Sequence, residues 1–439
     1  MKRWRLLITD PGTPQSYDII RALFDQCERI IVTVKGNGIV PGVFSFSSHS
    51  RLIAKTYRIK TGKSPAGCVT TLNESSCVAA EKEYIDDILN ICRRERVNLI
   101  YPSGDEEVFI LAKYKKVFEE QGVFIPVNDY PVLKRMADKF TIIRLAREQG
   151  LRCPETFLVE DADKLRFPET GSTSPVAVVK PRFASASRGI CFIKDRGDWE
   201  AWRQKNKARA HEFVVQEYIP GDTIAYARVY MRRDGTLFLG SCAVCQRPEM
   251  TIHQNFGLLL IKKNLPAYFN KIVSLFASEQ FIGYGHVQLK VDARDGMHKV
   301  MEVNVRISEG TWSEVREGVN GPLISLSLFE NKAVALPVST DKGEVVFVWP
   351  ARDICIFIFY LFLRGEAFLK EKLLSGKKTR KLPPVSAMLK HYYDIYFSRR
   401  RRVECDNYFK FFLRDPLVSL AHWASFCYLL NKVSRKWDH

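Results

Sequence analysis

The chain has 439 residues, 46% hydrophobic and 26% charged, enough apolar surface for two or three packed domains and a composition that argues against disorder. A formal net charge of +18 calls for an anionic partner: nucleotide phosphates, nucleic acid or an acidic membrane surface. Eleven cysteines, an odd number without regular spacing, exclude a disulfide framework and fit a reducing cytosol.

The opening MKRWRLLITD is basic, with an apolar run too short for a signal peptide, and no segment reaches the roughly 20 apolar residues that span a bilayer. A cytoplasmic location is therefore expected. WRLLITD, PGTPQS and YDIIRALFDQ read as strand, turn and helix, and RIIVTVKG as a second strand. EKEYIDDILNICRRERVNLIYPSGD reads as a helix, then a third strand ending at a loop. This alternation predicts a doubly wound parallel sheet over residues 1–134. Pro11-Gly12 at the first turn departs from GxGxxG, so no dinucleotide fingerprint is present.

ADKFTIIRLAREQGLRCPETF predicts a helix stopped at Gly150, with Pro154 beyond it, opening a second unit over residues 135–338. PVAVVKPRF, HEFVVQEYIPG, IAYARVYMR, TLFLGSCAV, GHVQLKVDA and HKVMEVNVR read as strands, interrupted by the helix LPAYFNKIVSLFASEQF. The order predicts α+β rather than a second doubly wound sheet. Cys242 and Cys245 form one CxxC inside a strand, without the second pair a zinc site needs.

Residues 339–439 form a basic, apolar extension expected to be helical. From residue 341 onward 19 Lys and Arg stand against 10 Asp and Glu. ICIFIFYLFL and LVSLAHWASFCYLL are too short to span a membrane and long enough for helices in its interface, with GKKTRK and SRRRR between them. Two readings stay open: docking on an anionic membrane, or packing on the core with the basic residues solvated. The basic tracts lack the interleaved aromatics of a base-stacking platform, so nucleic acid is not an expected partner.

The chemistry concentrates in VMEVNVRISEG. Strand alternation sends Glu302, Asn304 and Arg306 to one face and Val303, Val305 and Ile307 to the other. Antiparallel pairing about Asp295-Gly296 brings Gln288 level with Glu302 and Asn304, three hard oxygen donors that suit magnesium held with phosphates. The competing reading is a solvated strand face. Lys180 ends an apolar strand and is followed by a loop containing Ser185, Ser187, Arg188 and Gly189. Small residues let backbone N–H groups approach an anion, and the lysine supplies a point charge. QEYIPGD has strand character to Tyr218 and a turn at Pro220-Gly221, offering backbone groups to a flat ring. His286 shares the face of Gln288, as a substrate contact or a satisfied polar group. No Ser-His-Asp or Cys-His nucleophile signature is present.

In this order the pieces resemble the ATP-grasp superfamily, nearest its carbamoyl-phosphate synthetase-like branch, in which Gln is the first metal ligand. ITDPGTPQSYDIIRAL and IYPSGDEEVFILA look like the domain that precedes its nucleotide site. Asp138-Lys139, KPRFASASRGI, QEYIPG, and Gln288 with thirteen residues before ExNxR look like the site itself. The resemblance implies an ATP-grasp fold using ATP with magnesium, or manganese in its place, held by Gln288, Glu302 and Asn304. It makes Arg306 and Lys180 catalytic, with Arg306 facing the transferred phosphoryl group or the substrate carboxylate. Lys139 and Lys180 contact phosphates, with Ser185, Ser187, Arg188 and Gly189 in the phosphate loop. Glu217, Tyr218 and Ile219 form the adenine hinge, and Asp222 stands one place before the family's ribose acid, where this chain has Thr223. Ala184 and Ala186 replace frequent glycines, implying a stiffer loop.

The implied activity is an ADP-forming carboxylate–amine ligase acting through an acyl phosphate, in amino-acid, peptide or surface-glycan modification. Its partners are ATP, a carboxylate and an amine, with a homodimer and peripheral attachment to the inner membrane face as further options. The alternatives are a non-catalytic, membrane-associated nucleotide-binding adaptor and a bicarbonate-activating enzyme. One motif set, without a glutamine-hydrolysing domain or a biotin-carrier signature, favours free-standing ligation.

Overall fold

A computed structural model describes residues 3–10, 12–35, 46–59, 78–169, 174–183, 189–246, 260–308, 311–334, 345–348, 357–358, 360–361, 364–365, 384–397 and 402–405. Leu6, Leu7 and Ile8 are all inaccessible to solvent, so strand β1 (Trp4–Thr9) is covered on both faces. That is the environment of a central parallel strand. It pairs in parallel with β2 (Cys27–Lys35) and β4 (Leu99–Pro102), and β2 pairs with β3 (Lys55–Ile59), giving the order β3-β2-β1-β4. Helices α1 (Pro14–Leu23), α2 (Val78–Glu95), α3 (Asp105–Lys113) and α4 (Lys115–Glu119) belong to this part. The strand β3 is not expected from sequence: KTYRI alternates exposed and half-covered residues, as an edge does.

Helices α5 (Tyr130–Ala137) and α6 (Lys139–Glu148) lead into a small antiparallel sheet of β5 (Thr156–Leu158), β6 (Ala177–Pro181), β7 (Cys191–Ile193) and β8 (Phe213–Glu217), in the order β5-β8-β6-β7. With helix α7 (Arg196–Lys205) it builds its own core around Trp199, whose ring stacks on Phe167 and Trp202 at 5.5 and 5.7 Å. The larger sheet holds β9 (Thr223–Met231), β10 (Leu237–Gln246), β11 (Leu260–Lys263), β12 (Gly283–Val291), β13 (His298–Asn304), β14 (Val345–Val348) and β15 (Arg402–Cys405). Its order is β13-β12-β9-β10-β11-β14-β15. Helices α8 (Phe269–Ser278), α9 (Thr311–Arg316), α10 (Gly321–Phe329) and α11 (Val385–Phe397) complete the described elements.

Alternation explains how the sheets share their cores. Leu7, Ile31 and Ile100 pack with Ile142 and Ile143 of α6 and with Ala227, Val287 and Val303 of the larger sheet. Leu6, Ile8 and Tyr101 face the other way, toward Tyr230, Tyr284 and Leu326. The first core is continuous through residues 133–143, because α5 and α6 bury Leu133, Met136, Ile142 and Ile143 in it. The CxxC divides between faces: Cys242 joins this core, where burial pushes its thiol up to about 12, and Cys245 packs with Ile224 and Tyr226. Two cysteines on opposite faces form no chelate.

The extension carries the expected helix, α11, and also two strands: β14 pairs antiparallel to β11, and β15 parallel to β14. Of ICIFIFYLFL, residues 357, 358, 360 and 361 are helical. GKKTRK and LVSLAHWASFCYLL lie outside the described residues, and of SRRRR Arg402 is described. Among the described residues no helix is long and apolar enough to cross a membrane.

Candidate nucleotide and metal site

The hairpin β12–β13 is closed by a loop over residues 292–297, longer than a two-residue turn. Asp292 N donates to Met297 O at 2.9 Å and Gly296 N to Asp292 O at 2.7 Å, with Gly296 at φ +69°. Arg294 and Lys299 both bind the buried Asp292 carboxylate and, together with the Arg294 N–H, hold it far below the usual carboxylate range. This closure sets the register. Gln288 lies opposite Glu302 and His286 opposite Asn304, with an irregularity after Gln288 that leaves Met301 unpaired.

On the other side of β12, Gln288 faces Tyr226 and His286 faces Arg228; Arg228 in turn faces Ser241 of β10. Directly opposed residues share a face. One face of the larger sheet is therefore apolar, with Ala227, Val287 and Val303. The reverse carries two polar rows, Glu302–Gln288–Tyr226 and Asn304–His286–Arg228–Ser241.

Two lysines come to this face through a single clamp. The Asp138 carboxylate caps α6, accepting from Phe140 N at 3.2 Å and Thr141 Oγ1 at 2.7 Å. Arg182, just past β6, donates to both of its oxygens at 2.9 and 2.6 Å, and Lys139 N donates to Arg182 O at 3.2 Å. Burial pushes the Asp138 carboxyl up, but Arg182 and Thr141 outweigh it and leave it below its ordinary value. The clamp joins the start of α6, bearing Lys139, to the end of β6, bearing Lys180. Lys139 Nζ lies 3.5 Å from Glu302 Oε2. The Lys180 ammonium is buried and makes no hydrogen bond among the described residues. Burial, with Lys139 and Lys290 adding and Glu302 opposing, brings it down to about 7. A buried, unbonded ammonium is a place prepared for an anion.

Arg306 follows β13. Its Nε donates to Asp105 Oδ1 at 2.8 Å and its Nη1 to Ile307 O at 3.3 Å. Asp105 opens α3 in PSGDEE, so the N-terminal part of the chain reaches into the site. His286 is 5% exposed, and burial, then Arg306 and Arg228, push its imidazole well below its ordinary range. It is neutral, with Nδ1 3.5 Å from the Tyr284 hydroxyl.

At the hinge, Glu217 N donates to Glu155 O at 2.8 Å and Tyr218 N to Val176 O at 3.0 Å, so these two amides are taken. The Glu217 carboxylate is paired with Arg294 and Lys299. The Ile219 amide makes no backbone hydrogen bond among the described residues, and its side chain is buried. Gly221 follows at φ +112°, where an added Cβ would meet Val291 O at 2.7 Å. Asp222 is exposed, and so is Gly189 at the end of the phosphate loop. Ser185, Ser187 and Arg188, with Ala184 and Ala186, lie outside the described residues.

Sequence reasoning missed Lys290, Arg182 and Asp105. Lys290 continues the alternation of His286 and Gln288, and its Nζ lies 5.1 Å from the Tyr218 ring centre; the period was the available signal. Among the described residues no three His, Cys, Asp or Glu side chains group to hold a metal. The face instead brings the neutral amide groups of Gln288 and Asn304 beside the Glu302 carboxylate. With the phosphate-ready lysines, that hard oxygen set fits a magnesium–nucleotide pair.

The chain is similar to several known proteins. Residues 61–126 match the family described as PylC-like, N-terminal domain. A D-aspartate ligase of Enterococcus faecium (strain Aus0004) is 19% identical over 318 residues, 67% of this chain and 75% of that protein. The biotin carboxylase domain of Hydrogenobacter thermophilus 2-oxoglutarate carboxylase, solved with MgADP and bicarbonate, superposes with a TM-score of 0.57 at 14% identity, over 76% of this chain and 72% of its own. An L-amino acid ligase from Bacillus licheniformis superposes with a TM-score of 0.51 at 15% identity, over 75% of each chain. The chain shares the fold of these solved structures, the ATP-grasp fold.

Proposed function

We propose that the chain is an ADP-forming carboxylate–amine ligase whose acid substrate is an amino acid or a related acid. The observation that carries this is the meeting of Lys139 and Lys180 at Glu302, on the sheet face that also bears Gln288, Asn304 and Arg306. Magnesium-ATP supplies the phosphoryl group and part of the neutralising charge when bound, and manganese, with the same oxygen preference, serves in its place. The chain does the positioning. Lys180 and Lys139 hold phosphate oxygens, Asp105 orients Arg306 toward the transferred group, and the carboxylate attacks to give an acyl phosphate and ADP. An amine then displaces phosphate. No side-chain nucleophile is required.

The D-aspartate ligase and the L-amino acid ligase among the similar proteins support an amino-acid substrate. The biotin carboxylase neighbours support the fold, and this chain has one motif set without a carrier signature, so a bicarbonate-activating role is not favoured. A non-catalytic adaptor would be free to lose Glu302 or Asn304, and both are present. ADP release over a matrix of acids and amines tests the proposal: turnover should need one of each, and release that no acid stimulates contradicts it.

Nucleotide choice is a separate expectation. Magnesium-ATP should raise the melting temperature by several degrees and NAD should leave it unchanged, as read by differential scanning fluorimetry. An equal shift with NAD counts against the site.

We also propose a cytoplasmic enzyme held peripherally on an anionic membrane through the basic extension. Lys377, Lys378, Arg380, Lys381 and Arg399 to Arg402 each add on the order of 1 kcal/mol at an acidic leaflet. Co-flotation with vesicles should require anionic lipid, weaken with salt and fall when Arg399 to Arg402 become Ser. Protein that stays in the soluble fraction at low salt removes the membrane role.

A further inference from the structure

Arg228 is 4% exposed on the polar face of the larger sheet, in the same row as Asn304 and His286. Arg182, only partly buried, holds Asp138 through two close bonds of 2.9 and 2.6 Å. Arg228 is more deeply buried and makes no bond that close among the described residues. Its Nη1 lies 3.4 Å from Ser313 Oγ and 3.5 Å from Glu314 Oε1. The Glu314 oxygens are engaged elsewhere: Oε2 accepts from the Tyr230 hydroxyl at 2.7 Å and Oε1 from Ser241 Oγ at 2.8 Å. Glu314 therefore balances the charge of Arg228 while leaving most of its donors unused. Arg306 shows the same economy, with Nε on Asp105 and one long bond from Nη1.

His286 lies between the two, on the strand that separates β9 from β13. Neighbouring strands lie about 4.8 Å apart, so the Arg228 backbone stands about 10 Å across the sheet from β13. Two separate guanidiniums with unused forks, one beside the metal face and one a short step beyond it, match two carboxylates on a short chain.

We propose that Arg228 determines specificity by holding a second carboxylate of the substrate, so that the activated acid is a short dicarboxylate, such as an acidic amino acid, with Arg306 at the reacting carboxylate. The proposal rests on the ligase reading above. It goes further by naming the class of acid and the residue that selects it.

The test is ADP release by the full chain with aspartic, glutamic and succinic acids, each against its mono-amides, so that either carboxylate is masked in turn. The diacids should exceed the mono-amides in kcat/KM on the order of 100-fold. Arg228→Met should bring the two within about threefold, through KM for the diacid, and Arg228→Lys should keep part of the preference. Retained stabilisation by magnesium-ATP identifies a folded variant. Wild-type protein that uses a mono-amide as well as its diacid overturns the proposal whatever the variants do. So does an Arg228→Met variant that folds and loses rate equally on every acid, which marks a structural ion pair. Release stimulated by no acid at all overturns the ligase reading, and this inference with it.

Discussion

Glu302→Ala is expected to abolish magnesium-dependent ADP formation, with a loss on the order of a thousandfold or more and an unchanged circular dichroism spectrum. Glu302 supplies the carboxylate among the three oxygen donors; Gln288 and Asn304 are neutral. It also lies 3.5 Å from Lys139 and is the group that raises Lys180 against burial. Its removal takes away the cation's charge partner and leaves two ammonium groups facing each other. The side chain is half-buried at the end of a row, so no cavity forms in the core. A steady-state assay with saturating magnesium checks this. Turnover within tenfold of wild type would show that the metal face lies elsewhere.

Lys180→Met should do two opposite things: stabilise the free protein and remove its response to ATP. The Lys180 ammonium titrates near about 7 in the folded chain and near 10.5 when unfolded. Between these values the unfolded chain binds the additional proton, so wild-type stability rises with pH across that window. Below about 7 the folded state carries the buried charge and its full cost. At pH 7 a methionine of similar reach, free of that cost, should gain about 1–3 kcal/mol. Urea melts at pH 7, 8 and 9 check the sign: the rise with pH in wild type should flatten in the variant. A variant less stable than wild type at pH 7, with the same pH slope, would contradict a buried ammonium kept for an anion.

The hairpin that sets Gln288 opposite Glu302 was legible because three local signals agree: two alternating strands, a Gly-containing turn, and the spacing between them. The turn proved longer than Asp295-Gly296 alone suggests, and the irregularity at Met301 left no mark in composition. Contacts between distant segments were not legible. Asp138 and Arg182 are 44 residues apart, Arg306 and Asp105 201 apart, and neither pair has a local pattern to betray it. Arg228 had a faint one, since Tyr226, Arg228 and Tyr230 alternate in IAYARVYM as a polar stripe on an otherwise apolar strand. The strands β14 and β15 are four residues each, too short for alternation to separate them from loop, and only the pairing of β14 to β11 and of β15 to β14 defines them. The hinge was half legible: QEYIPG marks the strand end, but that the Glu217 and Tyr218 amides are already paired follows from Glu155 and Val176, outside the motif.

The central claim is that a carboxylate oxygen attacks the γ-phosphoryl group of ATP on the face of Glu302 and Arg306. The direct measurement uses the acid that best supports ADP release, labelled with oxygen-18 in its carboxyl group, and follows the inorganic phosphate by mass spectrometry. Attack by the carboxylate predicts one labelled oxygen in each phosphate released. Phosphate formed without label, at the same rate of ADP production, would mean that water or another nucleophile takes the phosphoryl group, and would contradict the acyl-phosphate mechanism.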